Sequence, residues 1–101
     1  MLNTHEVPTL AALRARRVEI LRIATVRGAR NVRVFGSVAR GDAGTDSDVD
    51  LLVDMAPERT ALDLSELILD LEETLGRRVD VVEIRRPSPH AAQILHEAVP
   101  L

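Results

Sequence analysis

Asp48 and Asp50 stand one residue apart in a stretch that runs VFGSVARGDAGTDSDVDLLVD from Val34 to Asp54. On an extended backbone, carboxylates at i and i+2 project from one face about 7 Å apart. That separation lets their oxygens converge on one divalent cation or on an adjacent pair. Hard oxygen donors suit Mg²⁺, which also keeps substrate phosphates in its shell. Upstream, Gly36 removes a side chain where phosphates must approach the backbone, and Ser37 adds a hydroxyl at the start of a helical turn. Asp80, in the later run VDVVEI, is the natural third ligand. Such a set suits metal-dependent phosphoryl or nucleotidyl transfer.

Two competing motifs fail at particular positions. Gly36 and Gly41 match the glycines of GxxxxGK[ST], but Asp42 and Ala43 hold the Lys and Ser/Thr positions, and the chain contains no lysine. Asp46, Asp48 and Asp50 match positions 1, 3 and 5 of an EF-hand loop, but Leu51 stands where its Gly belongs and Pro57 where its bidentate Glu belongs. Plainer readings stand beside the chemical ones. Paired aspartates at a loop-to-strand junction also form solvated edges. Asp80 beside Arg77 and Arg78 also reads as a surface ion pair. Asp42 and Asp46 read as turn formers that bond their own backbone. His5, His90 and His96 have no ligand spacing, so solvent is the default for each.

The elements that would position these residues follow from the apolar periods. Residues 9–27 read as one helix, with Pro8 compatible with its first turn and Leu10, Leu13, Ile20, Ile23 and Ala24 as an imperfect apolar stripe. Its Arg-rich opposite face reads as solvated surface, with a partner-binding face as the sharper option. Residues 31–35 form a strand, 37–40 one helical turn, 42–47 a loop, and 48–54 a second strand with Val49, Leu51 and Val53 opposite Asp48, Asp50 and Leu52. A helix over about 61–75 carries Leu64, Leu67, Ile68, Leu71 and Leu75, with a capping box expected from Asp63 and Glu66 and a stop at Gly76. A third strand lies within 77–84, and a last helix at about 89–98 is expected to bury Ala91, Ile94, Leu95, Ala98 and Val99. The order is α-β-β-α-β-α: an α/β (α+β) fold with a small mixed sheet of about three strands flanked by helices, one domain over 1–101.

Composition narrows the function. The net charge of −3 argues against a generic nucleic-acid binder, and no direct nucleic-acid contact is expected. Asp42, Asp46, Asp48, Asp50 and Asp54 fall within thirteen residues, a cluster that repels itself unless it is solvated or holds cations. All thirteen Lys/Arg cations are arginines, which excludes an amine nucleophile. Phe35 is the sole aromatic residue, so the chain supplies neither a base-stacking platform nor a tyrosine acceptor. With no cysteine there is no disulfide or thiolate metal site. No apolar run approaches the roughly 20 residues that span a bilayer, and the start, MLNTHEVPTL, lacks an export signal. No membrane association and a cytoplasmic location are expected.

GSVARGD followed by SDVDLLV resembles the signature of the polymerase-β-like nucleotidyltransferase superfamily, a Gly-Ser turn leading to an Asp-x-Asp strand. The fuller pattern GSxARGDxxxxSDxDLLV is similar to the minimal nucleotidyltransferase (MNT) branch, with all its fixed positions present, and GRRVDVV matches its third carboxylate strand. The motifs cover roughly residues 30–84, and the element order covers the whole chain. The resemblance implies the nucleotidyltransferase fold, phosphate binding by Gly36 and Ser37, and two Mg²⁺ ions held by the catalytic Asp48, Asp50 and Asp80. It assigns Arg40 to phosphate contact or loop bracing. It also implies an antitoxin paired with a HEPN-type ribonuclease toxin, acting by transfer of AMP from ATP to a tyrosine of that partner.

The expected step is in-line attack of an acceptor hydroxyl on the α-phosphorus of a nucleoside triphosphate, releasing pyrophosphate. One Mg²⁺, on Asp48 and Asp50, would grip the triphosphate; the second, completed by Asp80, would lower the acceptor's pKa, with Asp80 also able to take its proton. No acceptor domain is visible, so a partner's surface would complete the site, against the Arg-bearing first helix or the C-terminal tail AVPL. Two alternatives stay open: an antitoxin that neutralises by binding alone, and a nucleotidyltransferase acting on a small molecule such as a sugar or antibiotic.

Overall fold

The computed structural model describes residues 6–101, which leaves His5 outside the described residues. The elements are α1 (Leu10–Ala15), α2 (Arg17–Val26), β1 (Ala29–Phe35), α3 (Gly36–Arg40), β2 (Val49–Met55), α4 (Ala61–Leu75), β3 (Val79–Glu83), α5 (Pro89–Glu97) and β4 (Val99–Pro100). The strands make one mixed sheet in the order β3-β2-β1-β4. β1 runs antiparallel to both β2 and β4, whereas β2 and β3 are parallel and joined by the α4 crossover.

One face of the sheet carries the main core. Leu13, Ile20 and Ala24 of the first two helices and Leu67, Leu71 and Leu75 of α4 pack on Val32, Val34, Val49, Leu51, Val53, Val79 and Val81. Each fully buried leucine contributes roughly 1.5–3 kcal/mol. The period of two in β2 thereby commits Asp50 and Leu52 to the opposite face. There α5 provides partial cover, with Ala91 6% and Ile94 5% exposed. That face holds the carboxylates.

Four expectations need correction. The single helix over 9–27 is two helices, broken at Arg16, whose backbone sits at φ −108° and ψ 18°. Thr9 caps the first by accepting from the Ala12 N–H at 3.0 Å, so Pro8 lies ahead of the helix. Arg16 at the break donates to the Thr74 carbonyl at 3.1 Å, a tertiary tie that an apolar period does not encode. At the start of α4, Asp63 accepts from the Thr60 N–H at 3.0 Å. Glu66 takes no part in this cap and pairs with Arg27 instead.

The third correction is a fourth strand. The tail after α5 pairs with β1 (Arg33↔Pro100, Val34↔Val99), Arg14 Nη2 donates to the Pro100 carbonyl at 2.7 Å, and Leu101 is buried. AVPL thus forms the edge of the sheet, with Val99 half-buried and Pro100 exposed. Fourth, Leu95 is 51% exposed, because α5 turns Ala91 and Ile94 inward and Leu95 sits beyond that stripe. The arginine face is mixed: Arg14, Arg16 and Arg27 are tied down by hydrogen bonds, while Arg17 and Arg22 stay exposed. Among the described residues, no helix is long and apolar enough to cross a membrane.

Candidate functional site

Asp50 is the centre of the arrangement. In the sheet register it lies between Phe35 of β1 and Asp80 of β3. Parallel pairing puts the Asp50 and Asp80 side chains on the same face of neighbouring strands. Asp48 stands one residue ahead of β2, at the loop-to-strand junction, with its Oδ1 3.7 Å from Arg78 Nε. Arg77 fixes the loop leading to it, donating to the Thr45 carbonyl at 2.8 Å and the Ser47 carbonyl at 3.1 Å.

The Gly36-Ser37 turn packs directly on this centre. Gly36 has φ +71°, and a Cβ placed there would lie 2.2 Å from Asp50 Oδ2. The space expected to admit phosphates is therefore shared with the Asp50 carboxylate. α3 then spans only Gly36–Arg40 and presents Arg40 from its last turn. The guanidinium reaches Asp42 Oδ2 at 3.2 Å and Glu97 Oε1 at 3.1 Å. Glu97 Oε1 also accepts from the Gly36 N–H at 2.5 Å.

A cleft of about 310 Å³ opens over these groups, lined by Gly36, Ser37, Arg40, Asp50, His90 and Glu97 among others. Asp48 borders a separate cleft of about 290 Å³ with Arg77 and Arg78. Asp80 lines neither, but is exposed beside Asp50. Thus the structure brings Gly36, Ser37, Arg40 and Asp50 into one cleft, sets Asp80 alongside through the register, and leaves Asp48 at the edge.

Electrostatics tie the three aspartates together. The Asp50 carboxyl is pushed up to about 6, chiefly by burial and then by the like charges of Asp80 and Asp48, against the opposing pull of Arg40. Its charged form is disfavoured until something positive arrives. Among the described residues, no group of three or more His, Asp or Glu side chains is drawn together as a ready cage for an ion. The donor set still fits Mg²⁺, which usually takes one or two carboxylates and completes its shell with water and phosphate oxygens.

Comparison with known proteins identifies the family. Residues 19–101 match the family model described as a nucleotidyltransferase domain. The chain belongs to the nucleotidyltransferase family. It is 38% identical over 82 residues to a candidate protein adenylyltransferase of Methanocaldococcus jannaschii, covering 80% of this chain and 88% of that protein. It is 51% identical over 55 residues to the protein adenylyltransferase MntA of Thermococcus cleftensis, covering 54% of this chain and 56% of that one. A solved structure of a candidate minimal nucleotidyltransferase superposes with a TM-score of 0.79 at 52% identity, covering 92% of this chain and 96% of the other. The same fold recurs in a toxin–antitoxin complex with AMP-PNP (24% identity, TM-score 0.68, 85% of this chain and 69% of that one). It recurs again in a complex of a tri-AMPylated Shewanella oneidensis HEPN toxin with its MNT antitoxin (20%, 0.64, 86% and 69%).

In this nucleotidyltransferase, sequence reasoning overlooked Glu97 and the position of His90. Glu97 lies 61 residues beyond Gly36, and no spacing rule links them. His90 lines the cleft although it is exposed, so the solvent default describes its burial and omits its place.

Proposed function

We propose that the chain is a Mg²⁺-dependent protein adenylyltransferase that moves AMP from ATP to a tyrosine hydroxyl of a HEPN-type toxin partner, acting as its antitoxin in the cytoplasm. The observation that carries this reading is the Asp50–Asp80 register beside a glycine packed on the Asp50 carboxylate, in a chain of the nucleotidyltransferase family. Relatives named as protein adenylyltransferases and fold neighbours solved with AMP-PNP or with an AMPylated toxin support it.

In this reading Asp48, Asp50 and Asp80 hold Mg²⁺, which when bound neutralises phosphate charge and lowers the pKa of the acceptor hydroxyl. The Gly36 amide, the Ser37 hydroxyl and the Arg40 guanidinium hold the triphosphate oxygens and keep the α-phosphorus oriented for in-line attack. Asp80, exposed beside Asp50, takes the acceptor's proton. The chain contains no tyrosine, so the acceptor comes from the partner.

The purified chain incubated with such a partner, ATP and Mg²⁺ should raise the partner's intact mass by whole AMP units. Asp48→Asn and Asp50→Asn should each abolish the gain while keeping a cooperative thermal transition, as should chelation of the metal. Modification that persists in the double variant would show that these carboxylates do not carry the reaction.

A further inference from the structure

Glu97 ends the nine-residue helix α5 with its carboxylate turned into the cleft, 2.5 Å from the Gly36 nitrogen and 3.1 Å from Arg40 Nη1. Its side chain is 18% exposed, against 48% for that of Arg40. Two features of the surroundings oppose a negative charge there. The last turn of a helix is the negative end of its dipole. Asp50 lies in the same cleft, and the Glu97 charge adds to the repulsion on it. The carboxylate is held by the Gly36 amide and Arg40, donors that suit a phosphate oxygen equally well.

We infer that Glu97 sets the nucleotide affinity of this site as an internal anion, seated on the Gly36 amide and Arg40 until an incoming polyphosphate takes those donors over. This rests on the nucleotide-binding reading above and adds a residue to it. Phosphate and carboxylate cannot share the Gly36 amide, which has a single proton to give, and like charges brought to hydrogen-bond distance over Arg40 repel. Binding therefore includes the exit of Glu97 from the cleft, and the free energy of its two contacts is subtracted from the nucleotide's affinity. A strut that merely held Gly36 and Arg40 in place would have the opposite sign, since its removal would loosen the phosphate grip.

The test is calorimetric titration of the full chain with a non-hydrolysable ATP analogue and, separately, inorganic triphosphate, both with Mg²⁺. Wild type is compared with Glu97→Gln, which keeps the size and an acceptor oxygen but removes the charge, and with Glu97→Ala. Both variants should bind both ligands about 3- to 10-fold more tightly, the range set by a partly exposed, charge-assisted contact. If Glu97→Ala does not fold, the sign of the Glu97→Gln effect alone decides. Equal or weaker binding by the folded variants, with wild type binding normally, overturns the role of Glu97 and leaves the nucleotide site standing. Absence of binding in every form overturns both. Binding by the variants with none by wild type supports the inference in its strongest form.

Discussion

Replacing Gly36 by alanine separates the two things this position does. Its backbone lies in the left-handed region at φ +71°, and the added methyl would sit 2.2 Å from Asp50 Oδ2. The strain alone costs roughly 1–2 kcal/mol for a residue with a side chain. Restoring ordinary contact at 3.4 Å requires Asp50 or the turn to move about 1 Å, and a misplacement of that size costs on the order of 100-fold in rate. Gly41 is the internal control, with φ +80° and nothing within 4 Å of the position its Cβ would take. Both variants should lose stability by strain, with Tm falling by about 4–8 °C per kcal/mol for a chain of this size. Only Gly36→Ala should also lose about 100-fold in AMP transfer, followed by intact mass of the partner at equal loading of folded protein. Activity of Gly36→Ala within threefold of Gly41→Ala would refute the placement of Asp50 against the turn.

Two further outcomes follow from the structure. Burial pushes the Asp50 carboxyl up to about 6, above its ordinary value of 3.8, so the folded state holds its proton where the unfolded chain has lost it. Its contribution to stability is therefore lost as pH rises from about 4 through 6, and the loss then levels off. The full shift would be worth roughly 3 kcal/mol, and solvent screening of a partly exposed carboxylate reduces it to about 1 kcal/mol. In chelator, the denaturation free energy of wild type minus that of Asp50→Asn should fall by that amount across the window; a flat difference would contradict the burial and repulsion assigned to Asp50. At the start of α5, Ser88 Oγ accepts from the Ala91 N–H at 2.9 Å. Ser88→Ala should cost about 1 kcal/mol in urea unfolding, and a change below about 0.3 kcal/mol would mean that the cap does not hold the helix that walls the cleft.

Much of this fold was legible in the chain because local patterns coincide with tertiary needs. The alternation through β2 buries Val49, Leu51 and Val53 on one face and leaves Asp50 on the other, as its period of two requires. The leucine spacing of α4 did the same for Leu67, Leu71 and Leu75. The break at Arg16, the two-residue strand β4 and the exposure of Leu95 were not legible. A hydrogen bond to a distant carbonyl, a short tail paired to an edge and the offset of a docked helix leave no repeating trace.

At the site the same division holds. Residue type and spacing single out Gly36, Ser37, Asp48, Asp50 and Asp80 as candidates for metal and phosphate chemistry, because the charges and the turn geometry are properties of short segments, and the family resemblance adds Arg40. Only the tertiary structure decided how they meet. The parallel register sets Asp80 beside Asp50, the turn packs Gly36 on the Asp50 carboxylate, and α5 brings Glu97 onto the Gly36 amide and Arg40. These contacts join segments tens of residues apart, and their existence depends on which faces the core has already buried.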